Sequence, residues 1–221
     1  MTIKLIFMKL TKTYLIKEGE NFCKHTSSIN HPKLMGINDG KSIGTYIEHE
    51  FKKYLSKKYE FNIGSSSLSI DFPDEHINTD LKVTSIHKPQ NSCPFKSIYQ
   101  KIYGLGYNIL LFVYKKIEKN GKCYLTFDSC TFIPSYETGD YNLTKDLLKL
   151  LKNNSKKNKI KQYLLESNLP LEEEILNNLI DEIINNPPKQ SYLTISNAFQ
   201  WRLRYNYVKK ETHKPYQKKS L

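Results

Sequence analysis

Residues 67–85 read SLSIDFPDEHINTDLKVTS, and this stretch predicts two short strands joined by a tight turn. Successive side chains of a β-strand point to opposite faces of its sheet. In the first strand, Leu68, Ile70 and Phe72 therefore share one apolar face, and Asp71 lies on the opposite face. This alternation predicts a half-buried strand whose acid points away from the core.

The second strand shows the same alternation. Leu81 and Val83 share one face, whereas Asp80 and Lys82 lie on the other. If the apolar faces of both strands contact one core, Asp71, Asp80 and Lys82 converge on a common cleft outside it. Two carboxylates and one ammonium at this spacing are the groups that a metal-dependent phosphodiesterase needs.

Asp74 is the competing first acid, because it forms a literal Pro-Asp pair with Pro73. It falls in the predicted turn, six positions before Asp80, where no strand alternation fixes the direction of its side chain. The pattern therefore favours Asp71 over Asp74 as the partner of Asp80.

The composition is strongly basic. The chain has 34 Lys and Arg against 22 Asp and Glu, which gives a formal net charge of +12. A surface of this sign favours a polyanionic partner, and the 16 tyrosines could pack on sugars and bases. A length of 221 residues suits one domain with a substantial core. We therefore predict a nucleic-acid-binding protein.

Cysteine use and hydropathy bear on the cellular compartment. The four cysteines are widely spaced and form no C-x-x-C pair, which favours free thiols over a zinc site or a disulfide framework. No apolar run reaches the ~20 residues that span a bilayer. Residues 1–12 are too interrupted by lysine for a signal peptide. The sequence thus predicts a cytoplasmic protein without a membrane partner.

The segments around the hairpin predict an irregular N-terminal region and two helices. The first forty residues show few periodic signals and predict irregular structure. A helix is expected to begin near Ser42, because apolar residues recur there every three or four positions. A loop over 86–93 and a short helix over Pro94–Tyr103 follow the hairpin, and Gly104 ends that helix.

Two further strands complete the predicted core. Tyr107–Tyr114 is a nearly continuous apolar run, typical of a central strand buried on both faces. Lys122–Phe127 alternates and indicates a neighbouring strand. The order over 42–128 predicts an α/β (α+β) fold with a central mixed β-sheet flanked by helices. Residues 140–188 predict a helical C-terminal region.

Residues 200–208, QWRLRYNYV, allow two interpretations. They alternate as a strand would, or they form a helix capped by Thr194 or Ser196 that resembles the second helix of a helix-turn-helix. Either element could present Arg and Gln to base edges, and a terminal element that only packs on the core is the alternative. The basic tail over 209–221 could contact phosphates.

The motif Asp71…Asp80-Leu81-Lys82 resembles the acid…D-x-K pattern of the PD-(D/E)XK nuclease superfamily. Within it, DLKVTS followed by HKPQNSCPFKSIYQKIYGLGY is similar to a type II restriction endonuclease. Gly44 and Glu48 in the preceding helix fit the G-x-x-x-E pattern of many such enzymes. The resemblance covers residues 42–128 and implies a restriction-endonuclease-like fold.

The resemblance also implies a mechanism. Asp71 and Asp80 would bind Mg²⁺ through carboxylate oxygens, and the backbone carbonyl of Leu81 would add a ligand. Lys82 would orient the attacking water and stabilise the developing negative charge. Hydrolysis of phosphodiester bonds in double-stranded DNA is the reaction expected.

Glu48 is expected to complete the acidic cluster, directly or through a metal-bound water. Glu50 is its rival, because it lies nearer the apolar stripe centred on Ile47. The spacing of the G-x-x-x-E pattern favours Glu48.

The partners implied are double-stranded DNA with a short palindromic site, a second copy of the chain in a homodimer, and a cognate DNA methyltransferase. We expect a single nuclease domain over 1–221 in the bacterial cytoplasm. Its catalytic core is 42–128, its helical region for DNA binding or dimerisation is 140–208, and its basic tail is 209–221. The expected DNA contacts are Lys88, Gln90, Asn91, Ser92, Gln200, Arg202 and Arg204.

Two alternatives stay open from the sequence. One is a repair or recombination nuclease that recognises DNA structure, which cleavage of plain duplex at one short sequence would exclude. The other is a non-catalytic DNA-binding protein that uses the C-terminal region, which would bind duplex DNA without cutting it.

Overall fold

Strands and helices are both present in the computed structural model, which describes residues 7–64, 70–87, 93–153, 157–167, 172–197 and 200–203. In chain order the elements are β1 (Met8–Lys9), α1 (Lys12–Ser27), α2 (Gly40–Ser56), β2 (Tyr59–Glu60), β3 (Thr79–Ser85), β4 (Cys93–Pro94), α3 (Ile98–Tyr103), β5 (Asn108–Lys119), β6 (Lys122–Ile133), α4 (Tyr141–Lys152), α5 (Lys157–Glu166), α6 (Glu173–Asn185), β7 (Leu193–Asn197) and β8 (Gln200–Leu203). Short 3₁₀ turns lie at Pro32–Leu34 and Ser135–Glu137.

The chain forms two compact units. The first holds the described residues of Met1–Asn91 and Tyr107–Ile133, and the second holds those of Ser92–Gly106 and Pro134–Arg204. The prediction of a single nuclease domain with a core over 42–128 stays a prediction. None of the described helices has the length and apolar character needed to cross a bilayer.

The first unit is built on a three-stranded mixed sheet in the order β3-β5-β6. β3 pairs with β5 in parallel, and β5 pairs with β6 antiparallel. β5 is the central strand and is buried along its first seven residues, as the apolar run predicts. Asn120 and Gly121, both at positive φ, form the two-residue turn between β5 and β6. The prediction of a mixed α+β fold is confirmed.

Helix α1 contradicts the prediction of an irregular N-terminal region. Thr11 caps it by accepting a hydrogen bond from the Tyr14 amide at 3.3 Å, and Leu15 and Phe22 lie on its buried face. A Cβ at Gly19 would lie 2.8 Å from Cys130 Sγ on β6. The helix therefore needs glycine at this point to approach the sheet closely.

A buried carboxylate also lies on α1. Glu18 accepts hydrogen bonds from Tyr54 Oη at 2.8 Å, from Lys58 Nζ at 2.9 Å and from Tyr59 Oη at 3.0 Å. Burial alone would raise the pKa of Glu18, but the hydrogen bonds from Lys58, Tyr54, Tyr59 and Asn21 outweigh burial and lower it. Ionised Glu18 thus fastens α1 to α2 and to the segment after it.

The other departures from prediction lie in the second unit. Helix α3 begins at Ile98, where Ser97 accepts a hydrogen bond from the Gln100 amide, and Pro94 belongs to β4 instead. The predicted helical region holds α4, α5 and α6, but it is followed by a sheet in the order β4-β8-β7. The strand interpretation is confirmed for Gln200–Leu203, and the helix interpretation is wrong for Leu193–Asn197.

Aromatic rings fill the core of the first unit. Phe51 of α2 and Phe112 of β5 are fully buried, with ring centroids 5.0 Å apart and nearly perpendicular planes. Phe72 lies against Phe51 at 6.5 Å, and Phe22 of α1 contacts Phe112 edge-on. These contacts hold α2 against the sheet, so Glu48 and other polar residues of α2 have fixed positions over β3.

Replacing Phe51 with alanine should lower the free energy of unfolding by about 3–5 kcal/mol, because a buried ring would leave a cavity. Urea denaturation followed by circular dichroism measures this loss. The matched control is Ile117→Ala, at a residue that is 37% exposed on the same sheet, where we expect a change under about 1 kcal/mol. Equal losses in the two variants would contradict the central position of Phe51.

Candidate active site

One backbone bridge joins the two arms of the hairpin that carries the predicted acids. Phe72 and Thr79 exchange two backbone hydrogen bonds of 2.9 and 3.0 Å in an antiparallel bridge. The amides of Ile77 and Asn78 close the turn by donating to the carbonyl of Asp74 at 2.8 and 2.7 Å. Residues 65–69, which include the first half of the predicted first strand, lie outside the described residues.

Asp71 and Asp80 flank this bridge, one residue before Phe72 and one residue after Thr79. Asp71 Oδ2 accepts a hydrogen bond from the Leu81 amide at 2.8 Å. The carboxylate thereby takes the place that a strand carbonyl would have in an antiparallel ladder. This bond fixes Asp71 beside the strand that carries Asp80 and Lys82.

Asp80 is almost completely buried, with 4% of its surface exposed. Lys82 Nζ lies 2.5 Å from Asp80 Oδ2 in an ion pair. Apart from this ion pair, Oδ2 has no hydrogen-bond partner among the described residues. A buried carboxylate with one cationic partner keeps lone pairs that a further cation or donor can engage.

Asp71 has a cationic partner that the sequence analysis did not identify. Lys52 Nζ of α2 forms an ion pair with Asp71 Oδ1. Lys52 lies four residues after Glu48, so the two side chains share one face of α2. That spacing was visible in the sequence and would have placed Lys52 beside any site that contains Glu48.

The two aspartates titrate as a coupled pair. Burial raises the pKa of Asp80 to about 7; the Lys82 ammonium opposes this shift, and the adjacent Asp71 adds to it. Burial would also raise the pKa of Asp71, but its interactions with Asp80, Lys52 and the Leu81 amide lower it. Without a metal ion, the pair therefore keeps Asp71 ionised and holds a proton on Asp80 up to neutral pH.

Glu48 belongs to the same electrostatic group. Burial raises its pKa, the Asp71 carboxylate raises it further, and the ammonium groups of Lys82 and Lys52 oppose the shift. Its rival Glu50 acts instead on the phenol of Tyr46, whose pKa is raised by burial and then by Glu50.

The competing acid Asp74 lies in the turn and is engaged elsewhere. Its carboxylate accepts hydrogen bonds from the amide and the side chain of Asn62, at 3.2 and 2.5 Å. The structure therefore brings together Glu48, Asp71, Asp80 and Lys82, and it does not bring Asp74 to them.

The donor set fits a hard divalent cation. Among the described residues no group of three His, Cys, Asp or Glu side chains forms a metal centre. However, Mg²⁺ is commonly held by one or two carboxylates and completes its shell with water and substrate oxygens. The adjacent Asp71 and Asp80 supply two carboxylates, and Asp80 Oδ2 keeps a lone pair besides the one that faces Lys82.

The expected DNA contacts are not described in side-chain detail. Lys88, Gln90, Asn91, Ser92 and Arg204 lie outside the described residues. The backbone of Gln200 and Arg202 forms β8, and their side chains lie outside the description.

Comparison with known proteins decides the family. The model of the type II restriction enzyme NspV family matches residues 9–217. The chain belongs to this family. A type II restriction enzyme NspV from Nostoc sp. is 44% identical over 201 residues, which are 90% of each chain. No solved structure matches.

Family membership confirms the prediction of a type II site-specific deoxyribonuclease. It favours a restriction enzyme over a structure-specific repair nuclease and over a non-catalytic DNA-binding protein. The match also spans the second unit and β8, so both units lie within the region that the family model matches.

Replacing Asp80 with asparagine should stabilise the metal-free protein at pH 8. A carboxyl group whose folded pKa is about 7 binds more protons folded than unfolded, so wild-type stability falls as pH rises from about 4 to 7. The variant lacks this loss and should gain on the order of 2 kcal/mol at pH 8, and little near pH 4. Thermal unfolding in EDTA across this pH range measures the difference.

The matched control is Asp74→Asn. The hydrogen bonds from Asn62 lower the pKa of Asp74, so its ionised form is favoured in the folded state and removal of its charge should not stabilise the protein. An equal gain in stability of both variants at pH 8 would contradict the raised pKa of Asp80.

Proposed function

We propose that this chain is a Mg²⁺-dependent restriction endonuclease of the PD-(D/E)XK superfamily, in which Asp71, Asp80, Lys82 and Glu48 hydrolyse phosphodiester bonds. The observation that carries the proposal is the adjacent pair of carboxylates on a hairpin, with Lys82 Nζ 2.5 Å from the buried Asp80 Oδ2. The restriction-endonuclease-like fold is part of the same proposal, supported by a mixed sheet with a parallel β3–β5 pair.

Each residue has a distinct role in this proposal. Asp71 and Asp80 hold the metal, and the carbonyl of Leu81 is a third ligand. When bound, Mg²⁺ polarises the scissile phosphate and lowers the pKa of a coordinated water. Lys82 is paired with Asp80 and partly exposed, so its ammonium can reach both the carboxylate and a phosphate above it.

Glu48 adds negative charge at the edge of this group, through its electrostatic contact with Asp71 and Lys82. Its raised pKa makes it a better proton acceptor than an exposed glutamate, so it can accept a proton from the attacking water that Lys82 orients. Asp74 and Glu50 are the alternatives for the two acidic positions, and their other partners make them the weaker choices.

The substrate in this proposal is double-stranded DNA in the bacterial cytoplasm, cut at a short palindromic site by a homodimer. Lys88, Gln90, Asn91, Ser92, Gln200, Arg202 and Arg204 are the proposed DNA contacts. A cognate methyltransferase would protect the host genome. Digestion of a mapped plasmid with Mg²⁺, followed by sequencing of the ends, tests the site and the cut position together.

Lys82→Ala should lower the cleavage rate by about 10²–10⁴-fold, because the ammonium stabilises charge that develops only in the transition state. Salt-dependent binding of duplex DNA should stay within about threefold of wild type, since one phosphate contact at most is lost. Single-turnover cleavage and gel-shift titration with Ca²⁺ measure the two quantities.

Lys119→Ala is the control, because Lys119 is exposed at the end of β5, and it should cleave as wild type does. A wild-type protein that binds duplex DNA but never cuts it with any divalent cation would refute the proposed function. Retention of cleavage within about tenfold by Lys82→Ala would refute the role of Lys82 alone.

A further inference from the structure

Lys52 has no role in the proposed mechanism, although it contacts Asp71. Its side chain is 17% exposed and that of Asp71 is 18% exposed, so their ion pair is largely shielded from solvent. Surface ion pairs contribute little, whereas a shielded pair holds its partners firmly. The position of Lys52 is fixed in turn by α2, which packs through the fully buried Phe51.

The contacts of Asp71 are divided between two elements. Its Oδ1 contacts Lys52 of α2, and its Oδ2 accepts the amide hydrogen bond of Leu81 in β3. Both oxygens of the carboxylate are therefore engaged before any metal ion arrives. An ion that binds Oδ1 must share that oxygen with an ammonium or displace it.

The ammonium of Lys52 affects metal binding in two opposite ways. It holds the Asp71 carboxylate in one orientation, so metal binding costs less side-chain conformational entropy. This gain is small, because Asp has a short side chain. It also repels a divalent cation that shares the same carboxylate, and Coulomb repulsion at such separations is the larger effect in a site shielded from water. The net effect of Lys52 is therefore to weaken the binding of the metal ion.

We propose that Lys52 is a built-in counter-ion of the metal site, a positioning residue that occupies Asp71 in the metal-free enzyme and sets the divalent-cation concentration at which the site fills. The inference rests on the proposed role of Asp71 as a metal ligand. Lys82 also opposes the negative charge of Glu48, Asp71 and Asp80, and without Lys52 that charge would be less compensated.

The test is Lys52→Met, which keeps the length of the side chain and removes its charge. Titration calorimetry with Mg²⁺ at pH 8, without DNA, should show a dissociation constant at least about tenfold lower than that of wild type. The melting temperature in EDTA should fall, and saturating Mg²⁺ should raise it more than it raises that of wild type. Lys52→Arg, which retains the charge, should bind Mg²⁺ as wild type does.

The control is Lys53→Met, one residue along α2 on its exposed side, which should change neither quantity. Equal or weaker Mg²⁺ binding by Lys52→Met overturns the inference, because a residue that only supports the fold would weaken binding when it is lost. If Lys52→Met does not fold, Lys52→Gln provides the same comparison with a neutral hydrogen-bond donor.

Asp71→Ala separates this inference from the function on which it rests. If Asp71→Ala binds Mg²⁺ and cleaves DNA as wild type does, Asp71 is not a ligand and the proposed ligand set fails. If Asp71→Ala loses Mg²⁺ binding while Lys52→Met binds no more tightly than wild type, the ligand set stands and only the role of Lys52 is refuted.

Discussion

The repulsion between two adjacent carboxylates is the constraint on which this site depends. Asp71 and Asp80 lie on either side of one backbone bridge, where both cannot be ionised without cations close by. One lysine compensates each acid. Lys52 of α2 pairs with Asp71, and Lys82 pairs with Asp80 on the same strand. The compensation is incomplete at Asp80, whose pKa stays near neutrality. In the proposed function, this incomplete compensation would favour the binding of a divalent cation.

The core of the first unit explains why the charges stay in place. The nearly perpendicular aromatic rings of Phe51 and Phe112 pack α2 against the central strand, so Glu48 and Lys52 of α2 cannot move independently of the sheet. Glu18 adds a polar contact, because it accepts hydrogen bonds from three donors in α2 and the segment after it. A half-buried group of acids needs such a rigid support, because relaxation of the support would let the acids separate.

Sequence patterns predicted the parts of this structure that follow a short-range rule. Side-chain alternation placed Asp80 and Lys82 on one face of β3, and the apolar run placed β5 in the centre of its sheet. Helix α1 escaped the same reasoning because Glu18 and Gly19 interrupt its buried face. Each is there for a tertiary reason, a buried network of hydrogen bonds or a close approach to Cys130, that no local pattern contains. The pairing of Lys52 with Asp71 likewise depends on how α2 crosses the hairpin.

The bridge between Phe72 and Thr79 has a consequence for the durability of the enzyme. Among the described residues, this end of the hairpin is held by the two backbone hydrogen bonds between Phe72 and Thr79, two amide bonds to Asp71 and one ion pair, whereas β3 and β5 are joined along seven residue pairs. Regions with few such bonds open at a lower free energy than the sheet as a whole. Moderate heating can therefore release Asp71 while the sheet stays intact. With the role proposed for Asp71, activity would then fade and return with temperature before the protein as a whole unfolds.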